Sequence, residues 1–301
     1  MTNILVVGSL AYDDVRTPEA SREGVLGGAA SYFAMAAALY GNVRVVGVVG
    51  DDFRETDMRR LRQRGVDVAG IERKPGRSFR WTGTYDFVKD TAETINTDLG
   101  VFGDWQPRIP DAYGDSEFVF LANIDPRIQL ATLEQMRRPK VVALDTMNYW
   151  IEHNRDDLVA VMRRVDVVSI NEGEARQLCQ TFKIVKAARE ILGMGPRVLV
   201  VKRGEDGAAL FTRHGSFWAP AYPLEETIDP TGAGDTFAGG FLGYIAECGG
   251  ADDPAALRRA VLHGAVCASF AVERFSVDGI LSVDRGAVDA RYRALEELIR
   301  V

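Results

Sequence analysis

Asp229-Pro230-Thr231-Gly232-Ala233-Gly234-Asp235-Thr236-Phe237-Ala238-Gly239-Gly240 is the stretch on which the reading of this chain turns. Proline at 230 pushes Asp229 out of helical geometry, so whatever precedes it ends there. Thr231 can cap a helix start. Gly232, Ala233 and Gly234 carry little or no side chain, so their backbone N–H groups can approach a ligand closely. From Thr236 the residues Phe237, Ala238, Phe241, Leu242, Tyr244 and Ile245 read as a tightly packed apolar helix. Free amides and the positive end of that helix then point at one spot, which favours phosphate. Asp235, in the first turn, is expected to be held ionised beside the bound anion.

Two better-known phosphate motifs do not fit. In a Rossmann fingerprint the third glycine position would fall on Phe237, and a strand should run where Asp229-Pro230 stands. No Gly-Lys-Ser/Thr follows, which excludes a P-loop.

Two further pieces lie outward from this one. Gly27-Gly28-Ala29-Ala30-Ser31-Tyr32-Phe33-Ala34 runs on to Gly41 as a glycine pair opening a small-residue helix, and Asn171-Glu172-Gly173-Glu174 follows a short apolar run. In this order and at this spacing, the three pieces resemble the signatures of the ribokinase-like (PfkB) carbohydrate kinase family, and the resemblance covers essentially all 301 residues. It implies ATP-dependent phosphorylation of an alcohol group on a small polyhydroxylated substrate: a sugar, an inositol or a nucleoside. Mg²⁺ comes with that implication. The resemblance also admits K⁺, for which no site is legible in the sequence.

The rest of the chain agrees in organisation. Continuous apolar runs at Ile4–Gly8, Val43–Val49, Phe118–Ala122, Val141–Asp145, Val167–Ile170, Val198–Lys202 and Ala208–Thr212 suit strands buried on both faces. Helical patterns near Gly28–Tyr40, Arg54–Arg64, Ile128–Arg137, Asp156–Arg164, Glu172–Gln180 and Val185–Leu192 alternate with them, and Pro254–Glu273 and Arg285–Ile299 follow the signature. This is the rhythm of a doubly wound, mostly parallel α/β sheet flanked by helices. Residues 10–26 and 77–103 break it: the second alternates in strand fashion with Trp81, Tyr85, Phe87 and Phe102. Together they read as a small antiparallel β lid on a single domain spanning residues 1–301. The resemblance implies a lid over the substrate and a homodimer surface.

Bulk composition sets limits. A net charge of -7 argues against a nucleic-acid backbone as partner. Cys179, Cys248 and Cys267 are odd in number and widely spaced, which builds neither a disulfide framework nor a metal site. The N-terminus enters an apolar strand without a basic leader, and no apolar run reaches membrane-spanning length. A cytoplasmic setting is the expectation.

Chemistry assigns the parts. Phosphoryl transfer needs charge stabilisation, an in-line hydroxyl and a proton acceptor. The turn Gly232-Ala233-Gly234 supplies preorganised donors, and Asp235 beside it is the natural base. Asn171 and Glu174, at the carboxyl edge of a parallel sheet, could share a helix face. Their spacing alone favours a capping box; the resemblance implies water-mediated contacts to metal and phosphate. It also implies a substrate-hydroxyl contact for Asp13, substrate approach at Gly27 and Gly28, and a nucleotide loop at Lys202-Arg203-Gly204. Thr231 and His263, the latter as a wall of the adenine pocket, complete the nucleotide set. Asp145 and Asn148 match only part of a family pattern, since their spacing differs and no arginine follows. Tyr32 stands where sugar-kinase members usually carry asparagine, which points toward a nucleoside, an inositol or an unusual polyol.

The alternatives are a kinase of phosphorylated sugars and a catalytically silent nucleotide-binding regulator on the same fold. The first needs an Arg or Lys cluster, and Arg80, Lys89 and Arg127 are scattered. Retention of Asp235 opposes the second. A nicotinamide oxidoreductase is disfavoured because Gly-x-Gly-x-x-Gly is absent after the first strand.

Overall fold

The computed structural model describes residues 2–86 and 91–300. Phe87 and Lys89 of the lid segment lie outside the described residues. Strands are β1 (Asn3–Val7), β2 (Ala11–Arg16), β3 (Ser21–Gly27), β4 (Asn42–Val49), β5 (Val66–Arg73), β6 (Phe79–Asp86), β7 (Thr91–Asp98), β8 (Phe118–Leu121), β9 (Val141–Asp145), β10 (Val167–Asn171), β11 (Val198–Lys202), β12 (Ala208–Thr212) and β13 (Gly215–Ala219). Helices are α1 (Ala29–Ala37), α2 (Glu55–Gln63), α3 (Pro126–Gln135), α4 (Asn148–His153), α5 (Arg155–Met162), α6 (Glu172–Leu178), α7 (Ile184–Met194), α8 (Ala233–Glu247), α9 (Pro254–Ala271), α10 (Asp278–Leu281) and α11 (Arg285–Ile299).

The apolar runs pair into a nine-stranded sheet in the order β13-β12-β11-β10-β9-β8-β1-β4-β5. From β11 to β5 every pairing is parallel; β12 and β13 are antiparallel additions at one edge. Alternate residues of one strand serve opposite faces. Ile4 and Val6 join a core with α1, α8 and α9, while Leu5 and Val7 join a second core with residues of α3, α5 and α7. Burial on both faces is why these strands read as unbroken apolar runs rather than alternating ones. In the first core Phe33 stacks on Phe120 with ring centroids 4.2 Å apart. Truncating such a buried ring costs about 3–5 kcal/mol.

Helix α8 carries the signature and packs against α1 and α9. Its glycines permit the close approach: a Cβ at Gly239 would stand 2.4 Å from the Phe33 carbonyl oxygen, and one at Gly240 2.7 Å from Cys267 Sγ. The helix starts at Ala233, three residues before the expected Thr236, with Gly232 as its cap residue at φ 73. Thr231 makes no cap bond. That expectation fails because the left-handed turn at Gly232 places the helix start one residue beyond Thr231's reach. Likewise α3 begins at Pro126 rather than Ile128, because Asp125 caps it, accepting from the Arg127 amide, and proline suits the first turn. Strands β5 and β13 and helix α4 were not expected. The two strands lie at the sheet edges, where half-polar sequences such as VDVAGIER blur the apolar signal, and α4 is only 6 residues long.

A second sheet has the order β3-β2-β6-β7. It gathers the two segments that broke the sequence rhythm. Two of its pairings are antiparallel; the central one, β2 with β6, is parallel.

Candidate active site

The carboxyl ends of the parallel strands converge on the amino end of α8. Strand β9 ends at Asp145, β10 at Asn171 and β11 at Lys202, with Asn171 opposite Lys202 in register. Strand β2 delivers Asp13, which is 4% exposed. Its side chain occupies the space above Gly27, where a Cβ would fall 1.9 Å from its Oδ2. Gly28, at φ 90, turns the chain into α1. There the amide of Ala29 donates to Ser9 Oγ at 3.1 Å, and that of Ala30 to the Ser9 carbonyl at 3.0 Å. Neighbouring Asp14 faces the other way and is spent on its own sheet: it accepts from the Gly24 amide at 2.6 Å and from Thr82 Oγ1 at 3.4 Å.

Asp229 is fully buried and staples the signature turn. One carboxylate oxygen accepts from the Thr231 amide at 2.9 Å, the other from the Ser276 amide at 3.1 Å. Ser276 holds φ 61, a left-handed backbone unusual for a serine. The Tyr32 ring lies under Gly232, where a Cβ would fall 2.3–2.4 Å from its ring carbons. Its hydroxyl is buried without a partner among the described residues. Above, Thr231 Oγ1 donates to the hydroxyl of Tyr85 on β6 at 3.0 Å, so the lid sheet touches the signature directly.

The turn leaves donors free. Among the described residues the amides of Gly232 and Gly234 meet no acceptor, and that of Asp235 meets only its own carboxylate. Beneath them Lys202 Nζ lies 2.6 Å from Asp145 Oδ2, the two side chains 15% and 4% exposed. The same Nζ is 3.1 Å from where a Cβ on Gly234 would stand. Lys202 was expected at the edge of a nucleotide loop; its long side chain instead runs back under the anion turn. Gly204 sits in the exposed turn beyond, at φ 57.

Electrostatics corrects one expectation. Asp235 lies above the ordinary carboxylate range: burial and then Asp145 push it up to about 7, with Lys202 and its own backbone amide opposing. Burial and Asp145 also push Glu174 up to about 7, against Lys202 and the Asn171 amide. Asp13 rises to about 8 through burial, Asp229, Asp235 and Asp14, against the Gly28 amide. Burial raises Asp145 as well, with Lys202 pulling down. A desolvated cluster of carboxyl groups around one ammonium is the arrangement found where proton transfer is needed.

Asn171 and Glu174 form the capping box that their spacing suggested. Asn171 Oδ1 accepts from the Glu174 amide and Glu174 Oε2 from the Asn171 amide, both at 2.8 Å. That leaves one oxygen of Glu174 uncommitted. Among the described residues no group of three or more His, Cys, Asp and Glu could cage a metal by itself. Mg²⁺ takes one or two carboxylates and completes its shell with phosphate and water, so Glu174 beside a phosphate turn fits it. The acceptor-free amides with Lys202 fit a nucleotide's phosphates.

His263 is corrected as a pocket wall. It is 4% exposed, sandwiched between Tyr244 and Tyr292 at 4.1 and 4.4 Å, with Nδ1 bonded to the Tyr40 hydroxyl at 3.0 Å. Burial drives it down to about 4, so it is a neutral core residue. Asn148 is exposed on α4, and Arg127 is bound to its neighbour Asp125. Arg80 packs over the Tyr12 ring. None joins the cluster. A cavity of about 520 Å³ lies elsewhere, between α7 and the β12–β13 hairpin and lined by Val185, Leu192, Phe211 and Ser216; it shares no residue with the cluster.

Three residues were not singled out from the sequence: Asp229 as a staple, Ser276 and Tyr85 as a signature contact. Only Asp229 had a local signal, lying inside the signature itself. The other two reach the site from 47 and 146 residues away in sequence.

Known proteins bear on this geometry. The family model for pfkB family carbohydrate kinases matches residues 1–282. A cytidine kinase of Thermococcus kodakarensis is 33% identical over 252 residues, covering 81% of this chain and 89% of the relative. The crystal structure of the Methanocaldococcus jannaschii nucleoside kinase superposes with a TM-score of 0.79 at 22% identity, covering 98% of this chain and 99% of that one. An E. coli protein solved in complex with ATP and Mg²⁺ gives a TM-score of 0.79 at 20% identity, covering 98% and 100%.

Proposed function

This chain belongs to the pfkB family of carbohydrate kinases, and from that premise we propose that it moves the γ-phosphoryl group of ATP onto an alcohol of a sugar or nucleoside. The observation that carries the mechanism is the placement of the Asp235 carboxyl beside the acceptor-free amide of Gly234 and over Lys202.

Asp13 and Tyr32, with the backbone of Gly27 and Gly28, hold the acceptor. Asp235, once ionised, takes the proton of the reacting hydroxyl. That oxygen bonds to the γ-phosphorus, the bond from phosphorus to the β,γ-bridging oxygen breaks, and ADP leaves. The amides of Gly232 and Gly234, with Lys202, meet the charge spread over the transferring oxygens, at no reorganisation cost because the fold already holds them in place, while the Ala233 amide is spent on the Pro230 carbonyl at 3.2 Å. Thr231, Asn171 and Gly204 flank the phosphates. Mg²⁺, when bound, neutralises phosphate charge, with Glu174 and Asn171 as its neighbours through water.

The same reading makes residues 1–301 one kinase domain with residues 10–26 and 77–103 as its lid. It also carries K⁺ activation and a homodimer through the lid, where Ile95 and Leu99 are 59% and 44% exposed. A cytoplasmic setting belongs with it; among the described residues no helix is long and apolar enough to cross a membrane. A phosphorylated-sugar acceptor is disfavoured, because among the described residues Lys202 is the one cation acting on the carboxyl cluster and it already faces the transferring phosphoryl.

The test is ADP release from ATP and Mg²⁺ against ribose, fructose, inositol, adenosine, cytidine, guanosine and fructose 6-phosphate. Turnover with an unphosphorylated acceptor is expected. Turnover confined to fructose 6-phosphate, or to none, would overturn the proposal.

A further inference from the structure

Resting on the kinase reading, we infer that the acceptor is a nucleoside, and that its base stacks on the indole of Trp81. The lid sheet places Trp81 opposite Asp13 and Gly83 opposite Val15, so Trp81, Gly83 and Tyr85 share the face on which Asp13 lies. Tyr85 fixes which way that face looks, since its hydroxyl meets Thr231 of the signature.

The attitude of the indole follows from two contacts. It reaches along its own strand to Gly83, where a Cβ would fall 2.1 Å from Cη2 and 2.3 Å from Cζ2. Its Nε1 reaches sideways to Thr94 Oγ1 on β7 at 3.1 Å. One direction runs along the strand and the other across it, and both lie within the indole plane. The ring is therefore flat on the sheet, with one face against Gly83 and the other turned away from the sheet, on the side where Asp13 lies. Among the described residues its ring neighbour is Tyr85, tilted at 59° and 6.4 Å away, which leaves the outward face unstacked.

This surface suits a planar apolar ring more than a bare sugar. A sugar is held by hydrogen bonds, and the indole's single donor is already spent on Thr94. Adjacent strands lie about 4.8 Å apart, so a ribose held at Asp13 on β2 sets a directly attached base over Trp81 on β6. Gly83 is the enabling residue, because any side chain there would lift the ring off the sheet.

Trp81→Leu keeps apolar bulk without a large π-face, and Trp81→Phe keeps a smaller ring. Binding of cytidine, adenosine and ribose is followed by tryptophan fluorescence and calorimetry, and turnover by ADP release with MgATP. Cytidine or adenosine is expected to quench wild-type fluorescence, and ribose to leave it unchanged. Trp81→Leu is expected to weaken nucleoside binding by about ten- to a hundredfold, with no matching rise in KM for ATP, and Trp81→Phe to fall between. Equal weakening for ribose and nucleoside, or none for either, overturns the inference, as does ribose binding more tightly than both nucleosides. The two readings separate: a wild type that binds nucleoside through Trp81 yet releases no ADP overturns the kinase reading and leaves the stacking site standing. Melting temperatures of both variants confirm that the lid still folds.

Discussion

Replacing Lys202 by methionine separates what this side chain does for the fold from what it does for the reaction. Lys202 Nζ and Asp145 Oδ2 are 2.6 Å apart with side chains 15% and 4% exposed. At that distance their attraction is about 6 kcal/mol for an effective dielectric near 20. Most of this is offset by the desolvation of both charges, so the intact pair contributes little net stability. Losing one partner is another matter, because Asp145 is then buried alone beside Asp235 and Glu174. The expected cost is about 3–5 kcal/mol, a large part of the roughly 5–15 kcal/mol that holds a domain together. Adding Asp145→Asn removes the stranded charge, so the double variant recovers most of that loss. Activity follows a different rule. Lys202 lies under the Gly234 amide, and removing one stabilising donor from such a site costs about a hundred- to a thousandfold in kcat. The double variant is therefore stable and still slow. Urea unfolding of the ligand-free proteins measures the first effect, and ADP release with the best acceptor of the panel measures the second. If the double variant regains both stability and turnover, Lys202 serves only to neutralise Asp145. If Lys202→Met alone is as stable as wild type, the pair is not desolvated as the geometry requires.

Four further outcomes follow from the site. Asp235→Asn should fold and bind ATP by calorimetry while losing about a hundred- to ten-thousandfold in kcat; near-normal turnover would remove it as the base. Because Asp235 sits at about 7 in the free protein and acts when ionised, kcat/KM should rise with pH through that value, and a flat profile from pH 6 to 8 would contradict it. Asp13, raised to about 8, favours the folded state when protonated, so its contribution is complete below its unfolded value and lost as pH climbs toward 8. Thermal melts without substrate should show Asp13→Asn gaining on wild type over that climb. Gly232→Ala forces a side chain into φ 73 and against the Tyr32 ring; it should cost at least about 1–2 kcal/mol in denaturant unfolding and lower kcat more than it raises the melting penalty would imply.

The order of strands and helices was legible because burial on both faces leaves its mark on every residue of a strand such as Val198–Lys202. The anion turn was legible because its chemistry is local: Pro230, Gly232 and Gly234 set backbone geometry within a few residues. The capping box at Asn171 and Glu174 was legible for the same reason. Edge strands β5 and β13 were not, since a strand with one exposed flank mixes polar and apolar residues.

What the folded chain alone decided is which side chains share a dielectric. The sequence singled out Asp13 with a second aspartate directly after it; alternation along β2 set Asp13 over the bare Gly27 and left Asp14 bonded within its own sheet. It offered Lys202 as a loop residue and His263 as a pocket wall; packing ran the lysine under the phosphate turn and closed two tyrosines over the histidine. Ionisation followed the same course, since Asp235 is raised by burial and by Asp145, 90 residues earlier in the chain. Backbone dihedrals depend on near neighbours, and so a short motif can specify them. Coulomb and desolvation energies depend on distance in space, which no stretch of sequence contains.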